Sequence, residues 1–109
     1  MGMVVRRFEV WLCNLNPTEG VEIKKTRPCL IISPDEMNKQ LQTAIIAPLT
    51  SKRRDWPSRI SCEFDGKKGY VVLDQIRTID KSRLVERLGI IDNRVAQKIA
   101  DILIEMFSM

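Results

Sequence analysis

A mainly β fold with some α structure is predicted: a small barrel or strongly curved antiparallel sheet with a C-terminal helix. Three observations predict it. Roughly five to seven short β-rich stretches alternate with turn signals about ten residues apart. The tail carries one clear helical stripe. The chain has 109 residues, which suits a single domain over 1–109 with one modest core.

The first strand is read in "FEVWLCNL", Phe8 to Leu15, with Phe8, Val10 and Leu12 facing one side and Trp11 the other. "NPTEGVEIKK" follows, with Asn16-Pro17 and Gly20 as turn chemistry. That loop of about ten residues is longer than a common hairpin connection, a sign of function or disorder. "RPCLIIS" is the second strand. "SPDEMNKQL" predicts one or two helical turns, capped by Ser33 or Asp35. "QTAIIAPLT" reads as a buried strand and "SKRRDWPSR" as a basic loop. "ISCEF" alternates as a strand, "DGKKG" is a hairpin turn and "YVVLDQI" the returning strand. After "RTIDKSR", the segment "LVERLGII" is read as a further strand. Val95, Ile99, Ile102, Leu103 and Met106 share one face of a terminal helix, with Asp92 as its N-cap. That stripe is read as core.

Composition excludes several classes. Hydrophobic residues make up 44% and charged residues 29%, ordinary for a globular chain and too apolar for disorder. No apolar run approaches the roughly 20 residues of a membrane helix. The N-terminus lacks the apolar stretch and small-residue site of a signal peptide, so the cytoplasm is expected. Three isolated cysteines, no C-x-x-C pair and no histidine argue against a zinc site; no metal or cofactor is expected. The cysteines read as small buried apolar residues in a reducing compartment. The net charge of +4 is mild support for a polyanionic partner, nucleic acid or acidic protein.

Some residues are neither core nor filler. Arg27 stands at the entrance to the second strand, behind Lys24 and Lys25. Pro28 disfavours helical geometry for Arg27 and itself suits a strand's first position. Thr50 and Ser51 end the third strand. Lys52, Arg53 and Trp56 lie in the basic loop that follows. Asp74 to Arg77 end an apolar run. If the 33–40 connection reverses the chain, strands two and three pair antiparallel, and Arg27 and Thr50 become neighbours at one rim. A guanidinium beside a hydroxyl makes a phosphate site, because the planar fork matches phosphate oxygens. Loop cations would guide a backbone, and Trp56 would stack a base. On spacing alone, an ion pair of Arg27 with Glu22 or Asp74 is the commoner arrangement. A lone Trp56 is likewise more often a packed loop anchor.

The missing histidine constrains chemistry. RNA cleavage here would need the RNA's own 2′-hydroxyl as nucleophile, which spares DNA. Arg27 would neutralise charge on the phosphorane and Thr50 hold a nonbridging oxygen. Arginine stays protonated and is a poor base. Glu22 is the nearest carboxylate in sequence able to take a proton.

At these residues the chain resembles the MazF/PemK toxins of bacterial toxin–antitoxin pairs. "NPTEGVEIKKTRPCLIIS", "AIIAPLTS" and "VVLDQIRTIDKSRL" carry the resemblance, in register, from about Arg7 to Leu103. The resemblance implies an SH3-like barrel, a homodimer and a sequence-specific, ribosome-independent mRNA interferase. It implies a catalytic pair at Arg27 and Thr50, an acidic position of variable role at Glu22, and a glutamine, Gln75, near the RNA groove. It implies cleavage of single-stranded RNA to 2′,3′-cyclic phosphate and 5′-hydroxyl ends. It also implies a MazE-like partner whose acidic, partly disordered tail blocks that groove. Lys24, Lys25, Ser51, Lys52, Arg53, Trp56, Gln75 and Arg77 are the expected RNA-binding set. One departure is visible: members often carry glycine where Phe8 stands, between Arg7 and Glu9.

Two other readings remain at this point. A gyrase poison of the CcdB kind depends on a C-terminal tryptophan, and this chain has none after Trp56. A catalytically silent RNA-binding module is compatible with the charge and with Trp56.

Overall fold

The computed structural model describes residues 3–109, so the first two positions of the expected 1–109 unit lie outside the described residues. In chain order the strands are β1 (Glu9–Asn14), β2 (Thr26–Ile31), β3 (Thr43–Thr50), β4 (Arg59–Phe64), β5 (Lys67–Val72), β6 (Arg77–Asp80) and β7 (Leu84–Ile90). Helix α1 (Asp35–Gln40) joins β2 to β3, and helix α2 (Asn93–Phe107) follows β7. The sheet is curled and antiparallel, in the order β4-β5-β3-β2-β1-β7, with β6 added to β3.

The curl follows from β3. One edge pairs with β2; along the other, Thr43 to Ile46 pair with β6, and Leu49 and Thr50 pair with β5. A 3-10 turn over Leu73–Gln75 lets the chain pass from β5 to β6. This corrects two readings. "YVVLDQI" is not one returning strand, because β5 ends at Val72; and Arg77–Asp80 is a strand rather than part of a connection. Both short pieces serve one long partner, which no periodicity within either piece reveals. The β4–β5 hairpin forms where expected, but its turn is shorter: Phe64 faces Lys67 across Asp65 (φ 49°) and Gly66 (φ 74°), the left-handed pair a two-residue turn requires, and Lys67 to Gly69, read as turn, belong to β5.

Each face of the sheet carries a buried core. Val10, Leu30, Ala47, Leu49, Ile60, Phe64 and Val71 pack beneath Ala96 and Ile99 of α2. Trp11, Cys13, Leu15, Cys29, Ile31, Ile46, Ile79 and Leu84 form a second core on the opposite side. Burying a side chain such as Ile99 contributes about 1.5–3 kcal/mol. The α2 stripe packs as expected at Val95, Ile99, Ile102 and Leu103, but Met106 is exposed. Asp92 caps α2 by accepting the Arg94 amide. At α1 the capping expectation fails. Pro34 takes the cap position with no side-chain hydrogen bond. The Ser33 hydroxyl is held by buried Asn38 and by the Ile45 amide, and Asp35 accepts the Arg7 amide instead.

The entry turn keeps a left-handed backbone at Phe8, φ 69°. The turn therefore survives without glycine, with a bulky residue in a region that L side chains disfavour. Phe8 is held there by packing against the α2-side core.

Candidate active site

The β2–β3 register pairs Cys29 with Pro48 and Leu30 with Ala47. Continued two residues toward the sheet's end, it sets Arg27 opposite Thr50. Both line one open groove of about 370 Å³, together with Lys25, Ser51, Lys67 and Lys68. The rim juxtaposition expected from topology is thus what the fold builds. Pro28 belongs to β2 and keeps Arg27 on the extended backbone.

Arg27 is half-buried and has no carboxylate partner among the ion pairs of the described residues. Neither Glu22 nor Asp74 pairs with it. Its Nε donates to the Lys24 carbonyl at 2.9 Å. The two terminal nitrogens then remain as the fork for an anion. The Thr50 hydroxyl accepts the Lys52 amide at 3.2 Å. Its own proton stays available to donate. Cys29 lies two residues beyond Arg27 on β2 but is no nucleophile. The hydrogen-bonded Cys13 thiol and burial push its pKa up, outweighing the pull of Arg77 and Arg27. Burial likewise pushes Cys62 up to about 11. All three thiols are free and buried.

The other expected residues divide. Lys25 and Ser51 line the groove, and Lys24 supports Arg27 through its carbonyl. Lys52 is exposed beside Thr50, and Arg53 is an exposed partner of Asp55. Glu22, Gln75 and Arg77 line a separate, adjoining hollow of about 400 Å³ that shares β3 with the groove through Pro48. The Glu22 carboxylate accepts the Glu19 amide at 2.7 Å within its own loop. Gln75 accepts the Ile23 amide at 2.7 Å, and Arg77 donates to the Leu15 carbonyl at 3.0 Å. Both polar side chains are therefore engaged with the β1–β2 loop.

Trp56 has one ring face covered by the Arg59 guanidinium, 4.7 Å from the ring centroid. It lines a larger groove of about 950 Å³ against Ile102 and Met106 of α2. Arg59, read as loop, opens β4 and forms a two-point ion pair with Asp74. Lys67 and Lys68 join the groove although the expected RNA-binding set does not include them. Their signal was available: a two-residue hairpin turn returns β5 to pair Tyr70 with Thr50, which carries both lysines to the groove.

Comparison with known proteins identifies relatives of this chain and of its fold. The model of the PemK-like, MazF-like toxins of type II toxin–antitoxin systems matches residues 6–107. The endoribonuclease EndoA of Bacillus subtilis is 33% identical over 107 residues, covering 93% of this chain and 92% of that protein. The crystal structure of a MazF from Deinococcus radiodurans superposes with a TM-score of 0.87 at 25% identity, covering 99% of this chain and 100% of that one. A mycobacterial endoribonuclease in complex with its cognate antitoxin superposes with a TM-score of 0.79 at 26% identity, covering 93% and 92%. Fold and sequence converge: this chain belongs to the PemK-like, MazF-like toxin family of type II toxin–antitoxin systems.

Proposed function

We propose that the protein is a metal-independent endoribonuclease that cuts single-stranded RNA in the groove between β2 and β3. The observation that carries this reading is the Arg27–Thr50 juxtaposition in a groove lined by Lys25, Lys67 and Lys68. Cations of this kind bind a phosphate backbone, and a fixed guanidinium offers two parallel donors to one phosphate.

In the proposed reaction the ribose 2′-oxygen attacks the adjacent phosphorus and the bond to the 5′-oxygen breaks. The products are a 2′,3′-cyclic phosphate and a 5′-hydroxyl. Arg27 stabilises the charge that grows on the phosphorane oxygens, the role in which preorganised donors contribute most. The Thr50 hydroxyl donates to a nonbridging oxygen. The 2′-hydroxyl proton passes to a carboxylate; Glu22 is the nearest in sequence, and to serve it must leave the Glu19 amide and swing from the adjoining hollow toward the groove. Solvent protonates the leaving 5′-oxygen. Lys24, Ser51, Lys52 and Arg53 extend the contact along the strand. Acting on mRNA, the protein would work in the cytoplasm, as a homodimer. By likeness to the mycobacterial toxin seen with its cognate antitoxin, its partner is a MazE-like acidic protein that competes for the same cationic surface.

The test is digestion of a long single-stranded RNA in the presence of a chelator. Wild type should leave cyclic-phosphate and 5′-hydroxyl ends. Arg27→Ala and Thr50→Ala should each lose at least about 100-fold in rate with the fold intact. Full activity in either variant would refute the assignment, and retention of uncut RNA by wild type would mark a binding module.

A further inference from the structure

We propose that Gln75 is a positioning residue for Arg27, acting through the β1–β2 loop rather than through RNA. The inference rests on the catalytic role given to Arg27 above.

Gln75 ends the 3-10 turn between β5 and β6 and is half-buried. Its Oε1 accepts the Ile23 amide at 2.7 Å, and its Nε2 donates to the Val21 carbonyl at 3.5 Å. One carboxamide thus serves both a donor and an acceptor of the same loop. The short bond to Ile23 is the one that fixes the carboxamide, and the longer contact to Val21 only completes its orientation.

The hold passes along the chain. Directly after Ile23, the Lys24 carbonyl accepts Arg27 Nε. Lys25 then turns through a left-handed φ of 73°, its amide bound to Asn16 Oδ1 and its carbonyl to the Leu15 amide. The Leu15 carbonyl in turn accepts Arg77. The loop is therefore clamped to the β5–β6 side of the sheet at Ile23 and Leu15. The Lys24 carbonyl, between these clamps, has a defined position. With no carboxylate to fix Arg27, that carbonyl decides which edge of the guanidinium faces the groove. It takes Nε and leaves the terminal fork outward, the edge suited to phosphate. An arginine without this contact would sample many rotamers.

Gln75→Met keeps the side-chain length and removes both hydrogen bonds. Gln75→Glu keeps the short acceptor bond to Ile23. The fold of each is checked by its melting midpoint, expected within a few degrees of wild type. In RNA cleavage, Gln75→Met should lower kcat on the order of 10- to 100-fold, as misplacement of a catalytic group does. KM should stay within about twofold and the cut position unchanged, and Gln75→Glu should recover most of kcat. A direct RNA contact would instead raise KM or shift the cut position, and that outcome would overturn the proposal. A second measurement is independent of activity. The Arg27 Nε–H resonance should be a protected NMR signal in wild type and Gln75→Glu, and exchange-broadened in Gln75→Met. An unchanged signal in Gln75→Met overturns the link. A wild type that cuts no RNA removes the nuclease reading, while this signal still decides whether Gln75 holds Arg27.

Discussion

Arg59 and Asp74 meet as a two-point ion pair across the β4–β5 edge, Nε to Oδ1 at 2.8 Å and Nη2 to Oδ2 at 3.1 Å. The Ser58 hydroxyl adds a third bond to the same carboxylate at 2.8 Å. Hydrogen bonding from Arg59 holds the Asp74 carboxyl below the usual carboxylate range, against the opposing effect of burial. The folded state therefore prefers the ionised form more than the unfolded chain does. Its stabilisation is present above about pH 4, the unfolded value, and is lost as pH falls through the lower folded value. Asp74→Asn should cost about 1 kcal/mol at pH 7, screened because the carboxylate is partly exposed, and almost nothing at very low pH. Urea unfolding of both proteins across that range checks it; an equal gap at both ends would contradict it.

Glu9 is a buried carboxylate with three donors: the Arg6 amide at 2.8 Å, the Trp11 indole at 3.1 Å and the Arg87 guanidinium. It ties the entry turn, the second core and β7 together. Glu9→Gln keeps the shape but loses the charge opposite Arg87 and turns a donor toward donors. A loss of about 1–2 kcal/mol is expected, chiefly from the mismatched donors around a buried side chain, since Arg87 is half-exposed and its charge is screened. Denaturant midpoints measure it, and a loss below about 0.5 kcal/mol would mean Arg87 is solvated independently.

At Phe8 the usual order of core substitutions should invert. Its φ of 69° suits glycine and is most costly for β-branched residues. Phe8→Gly loses packing but relieves about 1–2 kcal/mol of backbone strain. Phe8→Val loses packing and adds strain. Melting temperatures should rank wild type, then Phe8→Gly, then Phe8→Val. The reverse order for the two variants would show that side-chain burial outweighs backbone strain at this turn.

Lys67 and Lys68 should carry RNA affinity. In a Thr50→Ala background, where bound RNA stays uncut, Lys68→Ala should weaken binding several-fold. The slope of log affinity against log salt should fall by about 0.7, the value for one phosphate contact on a single strand. Fluorescence anisotropy over a salt series measures both. An unchanged slope would remove Lys68 from the RNA path.

Most of the fold was legible because its signals are local. The Asp65–Gly66 turn, the α2 stripe and the Asp92 cap each lie within a few residues, and the structure holds all three. Pro28 likewise announced the extended backbone of Arg27. Less legible were features set by a distant partner. Arg77–Asp80 becomes a strand because β3 has an open edge, and Ser33 forgoes capping because Asn38 is buried beside it.

The same division runs through the site. The residue types of the groove, a proline-backed arginine and a threonine ending an apolar strand, were determined by sequence alone, since strand register follows from alternation and turn length. Tertiary structure alone decided that Gln75 and Arg77 grip a loop, that Lys67 and Lys68 join the groove, and that Arg59 covers Trp56. The physical reason is that a side chain's hydrogen-bond partner depends on which backbone groups the packed chain leaves unpaired nearby. That is settled only when segments far apart in sequence are brought together.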